Sequence, residues 1–197
     1  MKYLILILFL LAGCIDDSII KPGENTAFLY MRDGDNKSSG TSFAISEDLW
    51  VTAAHVVDKG VGSIQLKDGW YDIEIVYFDK DVDLAFFKIS DYIVQDYIPL
   101  CGGVALGQPV EAFVVDLDFK LDSDDGVVTT VRKKEDKWAL RLIETSIDGD
   151  YGWSGGPMLT YDIPQERTCA IGMTVAGRWK TLPYLEAIRA SDIERLR

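Results

Sequence analysis

The sequence predicts an all-β fold, built as barrels or a sandwich, with one C-terminal α-helix. Three observations predict it. Val, Ile, Phe, Tyr and Thr gather in short runs, the side chains that suit a half-buried pleated surface. Clusters of Gly, Asp, Asn and Lys punctuate those runs, as at Asp33-Gly34-Asp35-Asn36 and Asp122-Ser123-Asp124-Asp125-Gly126. The exception is residues 184–196, where Tyr184, Leu185, Ile188, Ile193 and Leu196 recur at helical spacing.

The first residues stand apart from that fold. Met1-Lys2 is a minimal positive start, Tyr3 to Leu11 is apolar and uncharged, and small Ala12 and Gly13 lead to Cys14. This is a secretory signal pattern. A spanning helix needs about 20 apolar residues, and Asp16 and Asp17 stop this run well short of that. Leu11-Ala12-Gly13-Cys14 resembles a bacterial lipobox. The resemblance implies that residues 1–13 are removed as a signal peptide and that Cys14 becomes a diacylated N-terminus. An ordinary signal peptide with an incidental cysteine is the alternative. Two acyl chains hold a protein at a membrane without a helix. Ile15 stands where many lipoproteins retained at an inner membrane carry Asp, which by that resemblance leans toward an outer membrane where one exists and leaves inner versus outer open. The expected location is outside the cytoplasm, on the periplasmic or cell-surface side. Residues 14–26, with Lys21-Pro22-Gly23, read as the lipidated cysteine and a short tether.

The 197 residues suit one sizeable domain or two small fused ones, and 48% hydrophobic with 26% charged is a globular balance. The formal net charge of −12 argues against nucleic acid and against a polybasic membrane patch. It is compatible with cationic substrates, although solubility alone accounts for it. Cys101 and Cys169 remain once Cys14 is used. In an oxidising compartment they form one disulfide or stand as two buried thiols, and spacing does not decide between these.

Strands are predicted at 27–32, 40–46, 49–53, 62–67, 71–79 and 83–89. After a connection over 90–106 come 109–116, 126–134, 137–146, 157–161 and 168–176, then the helix at 184–196. The acidic run 122–125 reads as a solvated hairpin tip, because it lacks the spaced ligands and closing Glu of a calcium loop.

Three segments carry chemistry. The chain's single histidine, His55, follows a strand and two alanines in Trp50-Val51-Thr52-Ala53-Ala54-His55, with Gly40-Thr41-Ser42-Phe43 one strand upstream. A neutral imidazole is suited to taking a hydroxyl proton. Asp83 opens the apolar run Asp83-Leu84-Ala85-Phe86-Phe87, a place where Asp is ordinarily a turn residue. Ser154 sits in Gly152-Trp153-Ser154-Gly155-Gly156-Pro157, where glycines permit a tight turn that presents a hydroxyl and backbone N–H groups together. An α/β-hydrolase elbow would want parallel strands and the order Ser, Asp, His; the order here is His, Asp, Ser.

These motifs and their spacing resemble the trypsin/chymotrypsin-like serine proteases over residues 27–190. The resemblance implies two six-stranded antiparallel β-barrels, about 27–90 and 105–183, with the site in the cleft between them. It implies a catalytic triad of His55, Asp83 and Ser154, an oxyanion hole from the N–H groups of Gly152 and Ser154, and no metal or cofactor. The expected partner is a protein or peptide substrate. Ala170-Ile171-Gly172-Met173-Thr174-Val175-Ala176-Gly177 looks like the strand that pairs with substrate, through Val175 and Gly177. Asp148, six residues before Ser154, corresponds to the pocket base that favours Arg or Lys, although Asp150 or neither could face the pocket. Trp153 departs from the family members activated by a freed N-terminus, which carry Asp there, and places the chain nearer the bacterial branch with its heat-shock Deg-type proteases. A bulky ring beside the nucleophile also admits a second expectation, a catalytically silent tethered binding protein on the same fold. An esterase on that fold is a third.

Overall fold

The computed structural model describes residues 25–58, 60–133, 141–148, 152–175 and 184–197. The leader, Cys14 and Gly177 lie outside the described residues.

Two closed antiparallel barrels make up the fold. The first contains β1 (Thr26–Asp33), β2 (Asn36–Ala44), β3 (Trp50–Thr52), β4 (Val61–Leu66), β5 (Gly69–Asp79) and β6 (Leu84–Ile89), in the order β1-β2-β3-β6-β5-β4. The second contains β7 (Pro109–Val115), β8 (Leu121–Lys133), β9 (Arg141–Thr145), β10 (Pro157–Asp162), β11 (Arg167–Thr174) and β12 (Glu186–Arg189), in the order β10-β11-β12-β9-β8-β7. Closure pairs most of the strands on both sides, which limits the exposed edge that is the usual liability of an all-β chain. A short helix, α1 (Ala54–Val57), follows β3, and α2 (Ala190–Leu196) ends the chain.

Side-chain alternation explains the first barrel. In β4, Gly62, Ile64 and Leu66 face inward while Val61 is exposed and Ser63 and Gln65 are half-buried, the period of two that a pleat dictates. Leu29, Met31, Phe43, Trp50, Ile64 and Phe87 fill the core, and the Trp50 and Phe87 rings stack at 6.1 Å. Val110, Ala112, Val128, Ile143, Met158 and Ile171 do the same in the second barrel. The connection between barrels is stitched to both, with the Ile98 N–H donating to Ala44 O (2.9 Å) and the Cys101 N–H to Ala170 O (2.7 Å). Cys101 and Cys169 form a disulfide across this junction, with a Cα–Cα distance of 5.5 Å.

Three sequence expectations change. The tether ends earlier than residue 26, since Asn25 is buried, donates to Asp96 O (2.8 Å) and accepts from the Ala44 N–H (2.8 Å). The acidic run 122–125 is not a hairpin tip. Asp122, Ser123, Asp124 and Asp125 belong to β8 and pair with Val114, Phe113, Ala112 and Glu111, while the tip lies at residues 116–120. Strand β8 meets β9 only from Val128 onward, so the acidic stretch has one open edge, where charge is tolerated and blocks edge-to-edge pairing. The predicted C-terminal helix begins at Ala190 rather than 184, because residues 186–189 form β12 and close the second barrel. Buried Glu186 is carried there by an ion pair with Arg132 of β8, which also bonds Glu144 of β9 (2.5 Å). Burial disfavours the Arg132 charge, but the two carboxylates outweigh it and raise its pKa above the usual value.

Candidate active site

Histidine 55 is presented by a strand that ends early. Past Thr52, Ala53 and Ala54 are fully buried, and the chain turns into α1, whose Val56 and Val57 go inward while His55 stays about half exposed (49%). Small side chains suit positions this buried, since extra methylenes in a packed core cost stability.

Asp83 stands on the turn before β6, not in the strand where the sequence pattern puts it. Its φ of 59° is left-handed, a conformation that Asp tolerates better than most residues. Buried Val82 and Leu84 hold the turn on either side. The carboxylate reaches His55 twice. Oδ2 lies 2.8 Å and Oδ1 3.0 Å from His55 Nδ1, and Oδ1 also accepts the His55 backbone N–H (2.9 Å). A proton on Nδ1 donated to this carboxylate leaves Nε2 as an acceptor, the tautomer that base catalysis needs.

Ser154, only 8% exposed, lies on a turn with positive φ at Gly152 (90°) and Gly155 (87°). A side chain at Gly155 would run into Thr41 O and Thr52 Oγ1, so glycine lets this turn seat on the first barrel. The Ser154 carbonyl accepts the Thr41 N–H (2.9 Å), and the Gly155 N–H donates to Thr174 O (2.7 Å). At Gly40 a Cβ would lie 2.7 Å from Val56 Cγ2 and 2.8 Å from Ser154 O, so β2, α1 and the serine turn converge there. The helix that carries His55 and the turn that carries Ser154 thus both pack against Gly40 of β2. Among the described residues the His55 ring hydrogen-bonds to Asp83 and not to Ser154 Oγ.

Comparison with known proteins assigns the family. A family model described as the trypsin-like peptidase domain matches residues 40–163, more than half of the 197 residues. The chain belongs to that family. Among solved structures, the Rv3671c protease from M. tuberculosis in its active form shares 16% identity and a TM-score of 0.76, covering 88% of this chain and 79% of that one. Its inactive form gives 15%, 0.72, 91% and 90%. A serine endoprotease from Yersinia pestis gives 17% and 0.70, with 88% of this chain but 61% of that chain covered, so this peptidase spans less than two-thirds of that neighbour. At these identities the likeness concerns the fold. No curated protein matches the chain.

The remaining expected residues of the peptidase fall as follows. Gly152 and Ser154 share the serine turn. Asp148 is exposed and follows buried Ile147. Val175, half-buried at the end of β11, donates its N–H to Glu186 O (2.9 Å). Trp153 is buried in the second barrel's core rather than overhanging the cleft, and its carbonyl accepts from the Thr174 hydroxyl. No cluster of His, Cys, Asp and Glu suited to a metal occurs among the described residues. One contributor was missed by sequence reasoning. The fully buried Thr41 hydroxyl donates to Gly152 O (3.0 Å) and accepts the Val115 N–H (3.0 Å), tying the serine turn to both barrels. A threonine between Gly40 and Ser42 reads as an ordinary strand residue, so no local signal marks it.

Proposed function

We propose that this peptidase is a serine endopeptidase, held at a membrane by acyl chains on Cys14 and facing away from the cytoplasm. Ser154 Oγ attacks the substrate carbonyl while His55 Nε2 takes its proton. The oxyanion is held by the N–H groups of Gly152 and Ser154. His55 then returns the proton to the leaving amine, and water repeats the sequence on the acyl-enzyme. Asp83 keeps the imidazole in the reactive tautomer. The observation that carries the reading is the Asp83–His55 contact of 2.8 Å beside the docked serine turn. A serine–histidine hydrogen bond that forms only with substrate in place fits the chemistry, since catalytic contacts commonly tighten then.

The Val175 N–H donates to Glu186 O, so a main-chain contact from Val175 to substrate would run through its carbonyl. Exposed Asp148 supports a preference for Arg or Lys, tested by profiling a peptide library with Asp148→Ala. The silent-binder reading loses the weight that Trp153 gave it, because that ring is buried. Residues 15–197, treated with a fluorophosphonate beside a Ser154→Ala control, test the central claim. Labelling of the native chain alone supports it, and an unlabelled folded chain at pH 7–8 refutes it. Incorporation of a clickable fatty acid, lost in Cys14→Ala, tests the anchor.

A further inference from the structure

A groove of about 540 Å³ mixes apolar Phe28, Tyr92, Val115 and Phe119 with polar Gln65, Lys67 and Asp68 in its lining. Backbone pairing fixes its place relative to the serine. Phe28 is the β-partner of Thr41, the Thr41 N–H donates to Ser154 O (2.9 Å), and the Val115 N–H donates to the Thr41 hydroxyl (3.0 Å). Two strand spacings, about 10 Å, therefore separate groove and serine, the reach of about three extended residues. The turn bonds β2 through Ser154 O and β11 through the Gly155 N–H, so it stands between those strands. With the acyl half of a peptide along the end of β11, the leaving half runs toward β2 and the groove.

The groove's wall is unusual in composition and backbone. Phe119 meets Phe28 (5.2 Å, 84°) and Trp70 (5.6 Å, 87°) edge to face, while staying 51% exposed. It sits at φ 61° on the β7–β8 hairpin, where a tip serving only as a connection would favour Gly or Asn. The strained turn is over-determined. Asp116 Oδ1 accepts the N–H groups of Asp118 and Lys120 (2.8 Å each), and the Phe119 N–H donates to Asp116 O (3.0 Å). A costly backbone that holds a half-exposed ring at the wall of a groove is the kind of outlier that points to a working surface.

We infer that this groove binds the leaving half of the peptide substrate and selects a large aromatic or aliphatic side chain two to three residues past the scissile bond. The inference rests on the serine-endopeptidase reading. Extended peptide suits the groove's reach, and a further ring can join the edge-to-face set.

Peptides with one fixed acyl half, carrying Trp or Gly at the second and third leaving-side positions, test it on the native chain, Phe119→Ser and Trp70→Ala. The native chain cleaves the Trp peptides with kcat/KM about tenfold above the Gly peptides, and the ratio falls toward one in both variants. A native ratio near one overturns the subsite. So does an unchanged ratio in the variants, since purely structural damage lowers both peptides together. Calorimetric binding of the same peptides to Ser154→Ala makes the comparison without turnover. Fluorophosphonate labelling separates the two levels. A labelled chain without selectivity sinks the subsite alone, whereas an unlabelled chain whose Ser154→Ala form still prefers Trp supports the groove and sinks the peptidase mechanism.

Discussion

The Thr41 hydroxyl donates to the Gly152 carbonyl at 3.0 Å across 111 residues of sequence. It thereby fixes, from the first barrel, the glycine whose N–H is proposed to face the oxyanion. Thr41→Val keeps shape but leaves Gly152 O and the Val115 N–H without their partner, which costs about 1–3 kcal/mol. The expected result is a fall in kcat of roughly ten- to hundredfold with KM little changed, and near-complete recovery in Thr41→Ser. Steady-state kinetics on one peptide substrate checks it; equal losses in the Val and Ser variants would count against the hydroxyl.

Asp83 grips both the ring and the backbone of His55, so changing its chemistry without its shape is informative. Asp83→Asn turns an acceptor of the Nδ1 proton into a group that can itself donate, favouring the wrong tautomer. A drop in kcat of about 10⁴ is expected, with circular dichroism unchanged. A loss below tenfold would mean that the carboxylate is not the orienting group.

The sequence made the strands legible because alternation and turn clusters are local, and the three chemical motifs legible because each is a short run; the two barrels followed only from the resemblance those motifs carry. What it hid was set by distance. Glu186 looks helical until Arg132 is brought beside it across two strands. The acidic run of β8 looks like a turn until its open edge is known. Cys101 and Cys169 carry no pairing signal, and the disulfide arises because the inter-barrel connection runs along β11. Asp83 opens a run that reads as strand from its first residue, yet the motif needs it just outside, in a left-handed turn.

Gly155 is held at φ 87° with Thr41 O and Thr52 Oγ1 filling the space a side chain would take. Gly155→Ala combines a disfavoured backbone with a clash against a rigid barrel wall. A stability loss of about 2–4 kcal/mol is expected, read from the urea midpoint. An unchanged midpoint would show that the turn can move away from β2.

The Cys101–Cys169 bond closes a loop with a sequence separation of 68 residues and ties the connection to β11. Loop-closure entropy gives such a cross-link about 2–5 kcal/mol. A Cys101→Ser, Cys169→Ser double variant should melt well below the native chain, and reductant should bring the native chain to the same Tm. A native Tm indifferent to reductant would overturn the estimate.

Asp48 and Lys88 form an ion pair at 2.5 Å, and the Asp48 carboxyl is held below its usual range, first by that hydrogen bond, with slight burial opposing and the ammonium charge adding. A carboxyl so lowered binds fewer protons folded than unfolded. Its contribution is therefore fully present above about pH 4, the unfolded value, and is lost as pH falls through the folded one. Both groups are about half exposed, 49% and 45%, so solvent screening limits the pair to about 0.2–1 kcal/mol. Lys88→Met should cost no more than that at pH 7 in low salt. The difference should shrink in 1 M salt and shrink again as pH falls below about 4. Urea unfolding at those three conditions checks the sign; a deficit that persists at low pH would instead belong to packing of the lysine stem on β6.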